Sequence, residues 1–262
     1  SAYDADSEGV EGKFYVWKKS EIKEILGDDT DLFCLYYDVT DGGNWEGNSI
    51  LCNNINISAV AFHFGMSEDK IREILARCSE KLLNVRSKRV APGLDDKILT
   101  SWNSLMITAF AKGYHVTGET KYLDAAKNCV SFIEKNLLSG DKLLRTYKNN
   151  TAKINGYLED YSYFANALLD VFEIEPESKY LDLALKLGYY LVDHFWDSEN
   201  SSFFMTSDDH EKLIIRPKSN YDLSLPSGNS VSCLVMLRLF HLTQEEKFLK
   251  IATQIMESQA QI

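Results

Sequence analysis

One short pattern recurs three times and limits what this chain can fold into: Lys121-Tyr122-Leu123-x-x-Ala126, Lys179-Tyr180-Leu181-x-x-Ala184 and Lys247-Phe248-Leu249-x-x-Ala252. The aromatic positions stand about 58 and 68 residues apart, well beyond the roughly 34-residue period of tetratricopeptide arrays, so each unit holds two long helices and a long loop. Each copy opens an amphipathic helix. In the first, Tyr122, Ala126, Val130, Ile133 and Leu137 share one face and Asp124, Lys127, Ser131 and Glu134 the other. The segments ahead of the copies, 105–111, 164–172 and 231–240, are apolar almost all round, as helices covered on both sides should be. Short links at 117–119, 174–177 and 243–244 make the two helices of each unit antiparallel neighbours.

Inner and outer helix layers predict a mainly all-α chain of the six-hairpin α/α toroid class, of which the clear hairpins 101–138, 157–196 and 227–262 form about half. The links entering the inner helices, 88–100, 139–156 and 197–226, are long, and long loops with their own content are where function sits. The second predicts a β-hairpin of 143–147 and 152–155 around Asn149-Asn150, and the third predicts another of 203–206 and 213–216. Ahead of the repeats the sequence predicts a strand at 13–17 after a Ser7-Glu8-Gly9 turn and a helix at 21–26 started by Ser20. A second short helix at 31–37 leads to a loop at 41–48, and an amphipathic helix follows at 67–85, capped by Ser67. No linker divides the chain, so 1–262 reads as part of one (α/α)6 domain.

With 39 acidic against 28 basic residues and a net charge of -11, the average surface repels nucleic acid and anionic membranes, and neither is an expected partner. No apolar run is long enough to span a bilayer. Cys34, Cys52, Cys78, Cys129 and Cys233 are odd in number, scattered, and never spaced Cys-x-x-Cys, which fits reduced thiols in the cytoplasm or an organelle matrix. The start lacks an initiator Met and the third hairpin ends without a stop signal, so the chain reads as a fragment whose missing wall a second copy is a candidate to supply.

The rim of each inner helix is strongly polar although the helix it opens is apolar. The three rims are Asp95-Asp96-Lys97 with Trp102-Asn103; Gly156-Tyr157-Leu158-Glu159-Asp160-Tyr161; and Arg216-Pro217-Lys218, Tyr221-Asp222 and Pro226-Ser227-Gly228-Asn229-Ser230. A toroid brings them together. Convergent carboxylates beside Trp and Tyr suit a sugar, whose hydroxyls meet charged acceptors while its apolar face meets a ring. Asp96, Glu159 and Asp160 are the acid and base candidates, because glycoside cleavage needs one protonated and one ionised carboxyl. Substrate contacts are expected from Asp6, Glu8, Lys97, Trp102, Asn103, Tyr161, Arg216, Lys218, Tyr221, Ser227 and Asn229. The plainer reading makes Asp96, Asp160 and Ser227 helix caps. The acidic run Asp4-Ala5-Asp6-Ser7-Glu8-Gly9 lacks the ligand spacing and distal Glu of an EF-hand, so no metal or other cofactor is expected. His115 and His241 fall near the carboxyl ends of inner helices, His194 lies on an outer helix, and His63 reads as a core residue. Only His210 sits in a rim loop, which leaves a paired-histidine mechanism without support.

At these motifs the chain resembles thioredoxin-domain-containing proteins of the YyaL and spermatogenesis-associated protein 20 type. The resemblance rests on Asp4 to Gly9 with Gly12-Lys13-Phe14-Tyr15-Val16-Trp17, then Asp95 to Asn103, Leu158-Glu159-Asp160-Tyr161, Arg216-Pro217-Lys218 and Pro226 to Ser230, in this order over nearly the whole chain. It implies a longer parent protein in which a thioredoxin-like domain precedes a six-hairpin toroid similar to N-acylglucosamine 2-epimerases and six-hairpin glycosidases. Two function classes follow: a carbohydrate-active or carbohydrate-binding toroid, of glycoside hydrolase or sugar isomerase and epimerase type if an enzyme, or a non-catalytic protein-interaction domain of a redox protein.

Overall fold

The computed structural model describes residues 2–212 and 214–259. They form two compact units, Ser1–Asp96 and Lys97–Ile262, and the boundary falls inside the Asp95-Asp96-Lys97 rim, where no change of composition marks it.

The N-terminal unit packs helices α1 (Lys19–Leu26), α2 (Thr30–Tyr36), α3 (Ile57–Phe64) and α4 (Glu68–Arg86) around a core that includes Trp17, Ile22, Phe33, Val60 and Ile71. Helix α4 starts as its sequence dictates, with Ser67 Oγ accepting from Lys70 N and Glu68 and Asp69 in the first turn. Three local expectations are corrected. Helix α1 begins at Lys19, one residue before Ser20, and its cap residue Lys18 makes no side-chain capping bond. Residues 13–17 are not a strand. Only Trp17 pairs, with Ser49, while the Phe14 and Val16 carbonyls accept from Arg89 Nη1 at 2.9 Å each, so a guanidinium stands where a neighbouring strand would. His63 is exposed, as is Phe62 at 91%: α3 is apolar all round but is covered on one side.

The C-terminal unit is three helical hairpins: α5 (Thr100–Thr117) with α6 (Thr120–Asn136), α7 (Leu158–Ile174) with α8 (Ser178–His194), and α9 (Gly228–Thr243) with α10 (Glu246–Gln259). Helix α7 packs against α5, α8 and α9, which accounts for its unbroken apolar surface: Phe164, Ala165, Ala167, Leu168, Leu169 and Val171 are all fully buried. Each large one contributes about 1.5–3 kcal/mol of transfer free energy. The repeat residues Tyr122, Tyr180 and Phe248 sit on the outer helices, and Tyr180 and Phe248 are buried against this core. One polar cluster crosses the inner layer: Asp170 on α7 accepts from Arg238 Nη1 of α9 at 2.8 Å and from Thr108 Oγ1 of α5 at 2.7 Å.

The second rim loop holds the expected hairpin, Lys142–Lys148 with Thr151–Asn155, turned by Asn149 and Asn150 at φ of 51° and 57°. The third is different. Ser202–Phe203 pairs with Trp196–Asp197, and Ile214 and Ile215 are exposed instead of pairing with 203–206. Leu213, and residues 260–262 of the expected last hairpin, lie outside the described residues. No helix among the described residues is long and apolar enough to cross a membrane.

Candidate functional site

The amino ends of the inner helices α5, α7 and α9 carry the polar rim, and their free N–H groups must find acceptors. Asp160 supplies several at once. It is fully buried at the third position of α7; its Oδ2 accepts from Tyr157 N at 2.9 Å, and its Oδ1 reaches the neighbouring helix to accept from Ser101 N at 2.9 Å. Helix α5 needs that help because its own cap, Leu99, has no side-chain acceptor. The charge is balanced by Arg145 from the Lys142–Lys148 strand, whose Nη1 lies 3.1 Å from Asp160 Oδ2 and 2.9 Å from Glu159 Oε1. The same guanidinium stands 4.6 Å from the Tyr157 ring centroid, and His210 is stacked on Tyr157 at 5.4 Å. Burial pushes the Asp160 carboxyl up to about 6 against the opposing pull of Arg145 and the Tyr157 and Ser101 amides.

Glu159, one residue earlier, shares Arg145 with Asp160 and is also partly exposed. It lines a cavity of about 290 Å³ between the start of α7 and the segment leading into α9. Tyr163, Met205, Tyr221, Leu223 and Leu225 give it apolar and aromatic walls, and Ser227 also lines it. Tyr163 Oη donates to the Pro226 carbonyl, fixing the ring, and burial raises its hydroxyl to about 12. Ser227 caps α9 by accepting from Ser230 N at 3.0 Å, and Asp222 Oδ1 in turn accepts from Ser227 N at 2.7 Å. The two helices meet here only because residue 228 is glycine: a Cβ on Gly228 would stand 2.7 Å from Leu158 Cγ.

Of the residues singled out in the sequence, Glu159, Tyr221 and Ser227 therefore share one cavity. Others hold the frame around it. Tyr161 is buried with its hydroxyl accepting from Leu143 N, and Asn229, 2% exposed, exchanges bonds with both main-chain groups of Phe203. Arg216 Nη2 donates to the His194 and Thr206 carbonyls, closing the carboxyl end of α8, and Lys218 pairs with Asp197, which is held down to about 2 by Lys218 and Asn200. Asn103 turns back onto the Leu99 carbonyl, and Trp102 is 53% exposed on α5. Lys97 opens the C-terminal unit; Asp6, Glu8 and Asp96 belong to the N-terminal unit, where Glu8 pairs with Lys13 at 2.7 Å. Arg145 was not foreseen. Its signal was a charged residue two positions from Leu143, on the same face of a strand as that fully buried side chain.

No protein-family model matches the chain. It is 29% identical over 286 residues to an uncharacterized protein of Caenorhabditis elegans, covering 97% of this chain and 39% of that protein. It is also 29% identical over 280 residues to spermatogenesis-associated protein 20 of Homo sapiens, covering 93% and 36%. The chain thus spans little more than a third of the curated relatives it matches. Among solved structures it is similar to cellobiose 2-epimerase from Bacillus thermoamylovorans, with TM-score 0.52, 10% identity, and coverage of 77% of this chain and 57% of that one. It is also similar to an inactive variant of an α-1,6-mannanase of Salegentibacter sp. in complex with α-1,6-mannotetrose, with TM-score 0.51, 16% identity, and coverage of 92% and 70%. At such identities the likeness is one of fold: the chain is mainly α-helical, of the six-hairpin α/α toroid class, with short strands between its helices.

Proposed function

We propose that the C-terminal unit recognises a carbohydrate in the cavity at the amino ends of α7 and α9, within a larger (α/α)6 toroid domain. The observation that carries this is the lining itself: one carboxylate, Glu159, with the rings of Tyr163 and Tyr221 in the same cavity. A carboxylate for hydroxyls and rings for the apolar sugar face are what such a ligand requires. A volume of about 290 Å³ sits at the small end of ligand pockets, which suits one or two sugar rings. Sugars named for the structural neighbours supply the probes.

Glu159 is the group that acts on the ligand, and Arg145 positions it while neutralising Asp160. Asp160 is a positioning residue in this scheme, since its oxygens are taken by two main-chain amides and the guanidinium. The cavity thus presents recognition chemistry first. Hydrolysis would need a second carboxyl roughly 5–10 Å from Glu159.

The test is calorimetry with mannose, cellobiose and α-1,6-mannotetrose on wild type and Glu159→Gln. One of the sugars is expected to bind saturably, and the Gln variant to bind at least about tenfold more weakly at an unchanged melting temperature. No binding by any of the three, or equal binding by the variant, removes the proposal. A second reading, a non-catalytic interaction domain of a thioredoxin-like redox protein, draws on one observation: Leu223, which lines the cavity, is 86% exposed, and Ile215 of the same rim loop is 76% exposed. Under it no sugar binds, and replacing those two side chains by Ser improves solubility without touching any sugar response.

A further inference from the structure

The N-terminal unit has a cavity of its own, of about 510 Å³, which the carbohydrate reading leaves unused. Two hairpin turns deliver residues to it. Glu8-Gly9 closes the Ser7/Val10 pair with φ of 53° and 73°, and Glu46-Gly47 closes the Trp45/Asn48 pair with φ of 48° and 74°. Two successive positive φ values favour Asn, Asp or Gly at the first place, and the Asn149-Asn150 turn follows that rule. In the N-terminal unit both turns carry Glu there instead, and both glutamates line the same cavity.

Arg89, one of the residues lining this cavity, lies 4.0 Å over the Trp17 ring, donates to the Phe14 and Val16 carbonyls, and pairs with Glu21 at 2.7 Å, so its charge already has a partner. Glu8 is paired with Lys13. Among the described residues Glu11, Glu46, Lys18 and Lys88 also line the cavity and make no ion pair. Between them lie apolar surfaces that folding has not covered: Val10 is 53% and Val90 57% exposed, next to Phe14 and Trp45.

Two unpaired carboxylates and two unpaired ammoniums around an apolar patch select against a simple anion and a simple cation alike, since each meets like charge. A neutral polyol does not call for opposite charges in balance. We infer that this cavity binds a zwitterion of the free amino acid or short peptide class, its ammonium toward Glu11 and Glu46, its carboxylate toward Lys18 and Lys88, and an apolar side chain against Val10, Val90 and Trp45.

The geometry supplies a variant that separates binding from folding. Glu46→Asn removes the carboxylate and puts the preferred residue into the left-handed turn, so its melting temperature is expected to equal or exceed that of wild type. The probe is glycyl-leucine, titrated into the whole chain and followed by backbone amide shifts, with the doubly blocked N-acetyl-glycyl-leucine amide alongside. The free dipeptide is expected to give saturable shifts centred on residues 8–18, 45–48 and 88–90, and the blocked one none. Glu46→Asn and Lys88→Gln should each weaken the free dipeptide at least about tenfold. Absence of saturable shifts up to about 20 mM dipeptide, equal binding of the blocked form, or undiminished binding by folded Glu46→Asn each overturns the inference.

Discussion

Each unit has an arginine that lies over an aromatic ring and pairs with a glutamate lining its cavity, and the two are used differently. Arg89 gives its donors to two main-chain carbonyls and to Glu21, whose side chain is 38% exposed. Arg145 gives its donors to Glu159 and to a carboxylate with no exposure at all. An arginine's contribution depends on what its removal leaves behind. Carbonyls near the surface can turn to water, whereas a buried carboxylate with one partner gone has nowhere to put its charge.

The largest expected effect follows from that difference. Arg145→Met should destabilise the C-terminal unit by about 3–5 kcal/mol, the usual cost of leaving one half of a buried ion pair. Arg89→Met should cost the N-terminal unit about 1–3 kcal/mol, from its two lost main-chain acceptors and one half-exposed pair. Urea unfolding followed by amide signals assigned to each unit measures both. If the two variants lose the same amount, or Arg89→Met loses more, the distinction between exposed and stranded acceptors fails.

Asp160 sharpens the comparison through pH. Its carboxyl stands at about 6 in the folded chain against a usual value near 3.8, and burial is the main cause. The folded state therefore holds this proton more tightly than the unfolded one. The resulting stabilisation is complete below about pH 4 and is lost as pH rises through about 6, with an amplitude of order 2 kcal/mol. Asp160→Asn removes the titration, and it also sets an amide where Arg145 and Tyr157 N need an acceptor, so at pH 7 it should cost about 2–4 kcal/mol. Because lowered groups such as Asp197 act in the opposite direction, the quantity to read is the difference between wild type and variant from pH 7 to 4.5. That gap should widen as pH falls, and parallel curves would sink the assignment.

The sequence makes the helix pairs legible for a physical reason: burial on one side or two leaves a period in the chain, and Tyr180 and Phe248 recur because each packs an outer helix onto an inner one. The rim was legible only as a set of polar residues. Nothing in the spacing of Glu159 and Asp160 says that one turns to a cavity and its neighbour caps two helices, because that depends on where Ser101 and Arg145 arrive in space. Asn229 and Arg216 are residue types suited to ligands, and only the folded chain shows that they bond to main-chain groups of an irregular loop. Residues 13–17 alternate like a strand, but pairing needs a partner, and Arg89 had already taken the carbonyls.

Gly228→Ala tests the close approach that shapes the sugar cavity. A methyl group 2.7 Å from Leu158 Cγ forces α9 away from α7, at an expected cost of about 1–3 kcal/mol in thermal unfolding, with weaker binding of any sugar that wild type takes. A loss below about 0.5 kcal/mol would mean that Leu158 simply rotates aside and that the cavity wall is soft.

The smallest effect is the most discriminating between the units, because it exchanges their turns. Asn149→Glu puts into the C-terminal hairpin the residue that the N-terminal turns use, and Glu8→Asn does the reverse. Left-handed backbone favours Asn over Glu wherever it occurs, so Asn149→Glu should lose about 0.5–1 kcal/mol. Glu8→Asn should gain a few tenths from the turn and lose about as much with the exposed Lys13 pair, for a net change within about 0.5 kcal/mol. Local backbone preference then accounts for the Asn-Asn turn, and something other than stability keeps Glu at position 8. Should Glu8→Asn instead unfold the N-terminal unit measurably earlier, the glutamate is held there by folding, and the difference between this turn and the Asn-Asn turn is structural.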